Sequence, residues 1–167
     1  MSKAKKLIKE LGSKQAATET LSSNENNDCV VRAIQHTFDV DYVDAHHFCE
    51  TKLNRVSGQG VYTNRYLSKV TQVFGRKINK MGRNGMLTRD KKTKVEAWSN
   101  AKQKWVKKSK IVKVSYQVKE FKKKYAQGRY LLIVQGHAFA MVDGVIIGNP
   151  ADSRRLNRRV LSAYRVR

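Results

Sequence analysis

Acidic residues are scarce in this chain: 13 Asp and Glu stand against 35 Lys and Arg over 167 residues, a formal net charge of +22. That imbalance excludes a surface of evenly mixed charge and points to an acidic partner, either nucleic acid or an acidic protein. Proline occurs once and cysteine twice, at Cys29 and Cys49. Two thiols make neither a disulfide framework nor a metal site, so free thiols are expected, and no metal or organic cofactor is implied. No apolar run approaches the ~20 residues of a membrane span, which predicts a soluble protein without a membrane partner. Nor does an apolar stretch follow the basic start, so no secretory signal is expected and the predicted setting is intracellular. The length suits one domain that buries about two-thirds of its unfolded surface.

The positive charge is local. Residues 1–75 carry 10 basic and 8 acidic side chains, residues 76–124 carry 18 and 3, and residues 125–167 carry 7 and 2. An uncompensated block repels itself unless it meets phosphates or an acidic protein. The candidate contacts are Arg83, Arg89, Lys91, Lys92, Lys94, Lys102, Lys104, Lys107, Lys108 and Lys110, with an Arg-rich echo at Arg154, Arg155, Arg158 and Arg159.

Residues 1–22 read as a basic N-terminal arm and residues 23–167 as the domain, with a basic insertion at 84–113. Asn27 or Asp28 is the expected cap of a buried helix that begins near Cys29 and carries Val30, Ala33, Ile34, Thr37 and Phe38 at helical spacing. Asp41 caps a second helix through Leu53, and a third runs from Thr63 through Phe74 to Gly75. Ser57, Gly58, Gln59 and Gly60 make a flexible loop fit to border a cleft. The insertion reads as a hairpin or a helix; Trp98 and Trp105, seven apart, fit core anchors better than base-stacking rings. Ser115 is the expected cap of a short helix bearing Val118, Phe121 and Tyr125. From Tyr130 the period changes: Tyr130 to Val134 form a buried strand, Gln135 and Gly136 interrupt it, and His137 to Val142 resume it. Asp143 and Gly144 supply a hairpin turn, and Val145 to Ile147 return. Helices first and an antiparallel sheet afterwards predict an α+β fold.

Cys29 falls at the N-terminus of its helix, where free N–H groups and the helix dipole favour a thiolate. His137 stands in an apolar strand where packing alone would place a hydrophobe. Counting outward from the turn at Asp143 and Gly144 brings Asn149 opposite it, so an Asn amide there would fix the imidazole while the ring faces the thiol. Asp152 is a reserve for that role. His36 lies two turns along the Cys29 helix and is too distant to be the base. His46 and His47, about 100° apart on one helix, cannot serve one metal ion together. Cys49 reads as a small buried hydrophobe.

In this order and spacing, Asn27-Asp28-Cys29-Val30-Val31-Arg32-Ala33, then Gly128-Arg129-Tyr130, then Gly136-His137-Ala138 leading to Asp143-Gly144-Val145 resemble the papain-like cysteine peptidases. The likeness is nearest to the small papain-like proteins of bacteriophage and bacterial genomes, distantly akin to bacteriocin-processing peptidases, and covers residues 24–80 and 115–165. The resemblance implies helices packed on an antiparallel sheet, with Cys29 as nucleophile, His137 as general base and then acid, and Asn149 as orienter. Papain-like enzymes usually place a Gln about six residues before the nucleophile to stabilise the oxyanion; here that position is Ser23, and Asn24 or Asn27 is the candidate donor beside the Cys29 N–H. The expected activity is that of a cysteine peptidase or isopeptidase on a polypeptide substrate. It would work in the cytoplasm of a bacterial or infected cell, or in a virion. The alternative expectation is a weakly active or inactive virion or DNA-associated scaffold that binds nucleic acid or an acidic protein through its basic segment.

Overall fold

The computed structural model describes residues 27–56, 58–61, 63–82, 87–148 and 152–167. The arm at 1–22 therefore lies outside the described residues. The centre of the fold is strand β5 (Arg129–Val134), buried along nearly its whole length because both of its faces are covered. Leu131 and Ile133 point to one cluster with Val31, Ile34 and Phe38, whereas Tyr130, Leu132 and Val134 point to another with Val118 and Phe121. A strand covered on both faces needs an unbroken apolar run, which is what Tyr130 to Val134 supply.

The first face is covered by helix α1 (Cys29–Phe38) and helix α2 (Tyr42–Leu53). A further single turn, α3 (Thr63–Tyr66), continues into a 3-10 turn over Leu67–Lys69. Strand β1 (Gln72–Val73) and strand β2 (Arg76–Lys80) follow, joined through Phe74 and Gly75. The third helix expected to reach Gly75 is thus corrected to one short turn and a β-hairpin. Both Phe74 and Gly75 take positive φ, 48° and 74°, and that left-handed pair turns the chain back before a helix can propagate. The opposite face is covered by helix α4 (Val118–Lys124). Its cap is Gln117, not Ser115: the Gln117 side chain meets the N3 backbone, and Glu120 reaches back to the Gln117 N–H at 2.9 Å.

Strand β6 (His137–Val142), strand β7 (Val145–Ile147) and strand β8 (Ser162–Val166) complete a six-stranded antiparallel sheet in the order β1-β2-β8-β5-β6-β7. Helices on an antiparallel sheet make the domain α+β. Gln135 and Gly136 do not interrupt one strand; they are the hairpin turn between two, with Val134 opposite His137 and Gly136 at φ 67°. The next turn matches expectation, Asp143 and Gly144 both taking positive φ and Val142 pairing with Val145.

The basic segment forms a separate two-stranded ribbon, β3 (Thr88–Ser99) against β4 (Lys104–Ser115). Trp98 and Trp105 are direct cross-strand partners near its tip, their rings edge to face with centroids 5.9 Å apart. They are 46% and 65% exposed, so the expectation that they anchor the core is corrected: the seven-residue spacing reflects a pair flanking a hairpin turn.

Candidate active site

Two elements of comparable length bring the chemistry together. The ten residues of α1 rise ~15 Å and the six of β6 span ~20 Å. Helix α1 is tied at its C-terminal end to the start of β5. Arg129 Nη1 donates to the carbonyls of His36 and Thr37 at 3.1 Å each, and Thr37 Oγ1 donates to the Tyr130 carbonyl at 3.4 Å. Arg129 in turn pairs with Val142, the far end of β6. The opposite end of α1, where Cys29 is the first helical residue, therefore comes to the start of β6, where His137 is the first strand residue.

Asp28 occupies the N-cap position but does not cap with its side chain. Its buried carboxylate accepts from Arg32 Nε at 2.8 Å, pairs a second time with Arg32 Nη2, and accepts from the Tyr42 hydroxyl at 2.8 Å. This corrects the capping role expected for Asp28 and gives it another: it locks the turn before Cys29 to both helices. Asn27 does not cap either; its Nδ2 donates to the Gly58 carbonyl at 3.3 Å and so ties the glycine loop to the turn before Cys29.

The Cys29 thiol and the His137 ring are hydrogen-bonded to one another, and Cys29 also has a hydrogen bond with the Ala138 backbone. His137 Nε2 meets Asp152 Oδ2 at 2.9 Å. With Nε2 held by Asp152, Nδ1 is the ring nitrogen left for the thiol. Asp152 is only 2% exposed, and its second oxygen accepts from Arg158 Nη2 at 2.7 Å. Arg158 lies over the Phe139 ring at 5.3 Å. The result is a chain of four side chains, Cys29, His137, Asp152 and Arg158, in which each fixes the next.

Electrostatics follow from that order. The Asp152 hydrogen bond, and after it the Cys29 hydrogen bond, outweigh burial and raise His137 to about 9. Burial pushes the Cys29 thiol up, but the His137 hydrogen bond, the Ala138 backbone bond and the imidazole charge together bring it below the ordinary thiol range. Both shifts move the pair toward thiolate and imidazolium. Cys49 is the contrast: fully buried, its thiol is pushed up to about 12, chiefly by burial. Burial, then the charge of Arg32, lowers His36 to about 4.

Cys29 and His137 open on a cleft of about 480 Å³. Ile133, Val134, Ala138 and Leu161 make its apolar lining, and Asn27, Gln59, Gly60 and Thr63 its polar side. The glycine loop expected to border a cleft does so through Gln59 and Gly60. Gln59 was not singled out by sequence reasoning; the only signal for it is its place between Gly58 and Gly60 in that loop.

The other predicted residues fall as follows. Asn149, Asn24 and Arg83 lie outside the described residues. The described partner of His137 Nε2 is Asp152, the reserve in the sequence reading. Arg89 is corrected from a free contact for an acidic partner to an internal ion pair with Glu120, and Arg158 from the same role to the support of Asp152. Lys91, Lys92, Lys94, Lys102, Lys104, Lys107, Lys108 and Lys110 are exposed on the ribbon and its tip, and Arg154, Arg155 and Arg159 are exposed near the C-terminus. His46 bonds Arg55 at 2.9 Å and lies 3.4 Å from Glu50 on α2. Among the described residues no three His, Cys, Asp or Glu side chains gather as a metal site, and no helix is long and apolar enough to cross a membrane.

No protein-family model, curated protein or solved structure matches this chain.

Proposed function

We propose that the chain is a thiol hydrolase that cleaves an amide bond through Cys29, His137 and Asp152, and within that class a papain-like cysteine peptidase or isopeptidase. The observation that carries the reading is a helix-opening thiol bonded to an imidazole whose far nitrogen is held by a buried carboxylate. A nucleophile, a base within reach of it and a third group orienting the base are the parts that acyl transfer requires. The papain-like assignment is supported by the nucleophile standing at the start of a helix packed on an antiparallel sheet, with the histidine opening the adjoining strand.

The steps conserve atoms and charge. Cys29 Sγ attacks the amide carbonyl carbon, and the imidazolium of His137 gives its proton to the leaving nitrogen as the C–N bond breaks. The acyl group is left as a thioester on Cys29. Neutral His137 then takes a proton from water, the hydroxide attacks the thioester, and the C–S bond breaks to restore the thiolate and imidazolium, while the carboxylic acid product loses its own proton to solvent. The oxyanion formed at each addition is met by the Cys29 N–H at the helix start, and the side-chain amides that line the cleft are the candidate second donors: Asn27, whose Nδ2 keeps a second N–H beyond its bond to Gly58, and Gln59.

A fluorogenic library of peptide and isopeptide amides tests this directly. The expected result is turnover that disappears in Cys29→Ala and shows a bell-shaped pH profile, rising as the thiolate forms and falling as His137 deprotonates at about 9. An acyl adduct of Cys29 in the intact mass spectrum, released by water, would accompany it. The competing reading, a papain-like scaffold retained without turnover in a virion or DNA-associated protein, expects no adduct and no product with any amide.

A further inference from the structure

The ribbon β3–β4 takes part in neither buried cluster, for no residue from Thr88 to Ser115 belongs to them. It is held at its base by the Arg89 pair with Glu120 and by Leu87 and Tyr116, the buried residues that flank it. Between Thr88 and Ser115 the sequence has ten Lys and Arg and two acids, Asp90 and Glu96. Such a ribbon should repel itself, yet its register places no lysine opposite another. Lys91 faces Val112, Lys92 faces Ile111, Thr93 faces Lys110, Lys94 faces Ser109 and Val95 faces Lys108, while the two acids face Lys113 and Lys107. Like charges set directly opposite would destabilise the pairing, and the register avoids all of them. The charge is thus carried without cross-strand repulsion and is left for something outside the chain.

The two faces differ. Directly opposed residues share a face, so both acids lie on the face of Trp98 and Trp105. The other face carries Lys91, Lys104, Lys108 and Lys110 with no acid, around the half-buried Val95, Ala97, Val106 and Val112. None of these four lysines has an ion pair among the described residues. Two strands side by side fit the ~12 Å major groove of B-form DNA, and strands of 12 residues reach ~40 Å, about one helical turn. The face also lacks free Arg, Asn and Gln, the side chains that read base edges in pairs of hydrogen bonds.

We propose that this ribbon is a double-stranded DNA-binding arm whose acid-free face, bearing Lys91, Lys104, Lys108 and Lys110, lies in the major groove and contacts phosphates without reading sequence. The arm works independently of the cleft chemistry and stands or falls apart from it. Its on-site reporter is built in, because the chain's two tryptophans form the pair on the opposite face.

The test is fluorescence anisotropy of a labelled duplex of arbitrary sequence against the full chain over a salt series. Four phosphate contacts give a slope of log K against log salt of about −3.6. The triple variant Lys104→Gln, Lys108→Gln, Lys110→Gln is expected to flatten that slope by about 2.7 and to lose affinity on the order of 100-fold at low salt. The triple variant Lys92→Gln, Lys94→Gln, Lys107→Gln, on the tryptophan face, is expected to lose about tenfold or less. Unchanged tryptophan emission in both shows the ribbon intact. Duplex RNA, whose deep and narrow major groove excludes a ribbon, is expected to bind at least about tenfold more weakly. Equal losses from the two triple variants, equal binding of duplex RNA or of polyglutamate, or no duplex binding at low salt would each overturn the proposal.

Discussion

Replacing Asp152 with alanine is expected to drop the His137 pKa from about 9 toward its ordinary 6.5, because the hydrogen bond to Asp152 is the largest contribution holding it up. NMR titration of the His137 ring reads this without any substrate. Amide turnover should fall by about 10²–10⁴, the usual worth of a positioned proton-transfer group. Asp152→Asn should fall between wild type and alanine, since a carboxamide oxygen still accepts the ring N–H but brings no negative charge. That pair of variants separates orientation from charge. If Asn149 were the orienter instead, neither variant would move the His137 pKa by much and turnover would stay within a few-fold of wild type.

A single added methyl group should do nearly the same damage from one step away. At Gly148 a Cβ would come 2.5 Å from Asp152 Oδ2 and 2.9 Å from Phe139 Cβ. The carboxylate cannot retreat freely, because one oxygen is held by His137 and the other by Arg158. Gly148→Ala is therefore expected to push Asp152 off the imidazole and to cost on the order of 100-fold in turnover, as misplacing a catalytic group by ~1 Å does. The His137 pKa should fall with it. A Gly148→Ala protein with wild-type turnover and an unmoved His137 pKa would show that the Asp152 contact does not serve the reaction.

Much of this arrangement is legible in the sequence, and the parts that are not have local physical causes. Cys29 at a helix start and His137 at a strand start are visible because each breaks a pattern: a polar turn before an apolar helix, and an imidazole within an apolar strand. The turn at Asp143 and Gly144 is visible because both residues tolerate positive φ. Its register, though, extends only to Ala140 opposite Ile147. Asn149 lies outside the described residues, and the described partner of His137 Nε2, Asp152, comes from a loop, which no periodicity can place. Arg158 was misread for a related reason. In sequence it is one of four arginines in a basic run, and only the fold shows that it is held over Phe139 against a buried carboxylate.

The segment from Thr63 to Gly75 has apolar spacing that suits a helix, but the β-branched Val70, Thr71 and Val73 and the left-handed pair at Phe74 and Gly75 turn it into a hairpin. The ribbon hides differently. Its tip, Asn100 to Gln103, has no glycine or proline to announce a turn, and lysines mask the alternation of its strands. Trp98 and Trp105 mimic a helical repeat only because a four-residue tip and two flanking pairs happen to set them seven residues apart.

The central claim is that Cys29 and His137 form a thiolate–imidazolium pair, and the rate of Cys29 alkylation by iodoacetamide against pH tests it most directly. Cys49 stays silent in the folded protein, being fully buried with its thiol pushed up to about 12. The wild type is expected to react rapidly at about pH 6, where an ordinary thiol is almost wholly protonated, and His137→Ala is expected to lose that reactivity and titrate near pH 8.5 like a free cysteine. Identical pH profiles in the two proteins, both ordinary, would contradict the pair and with it the assignment of Cys29 as a nucleophile.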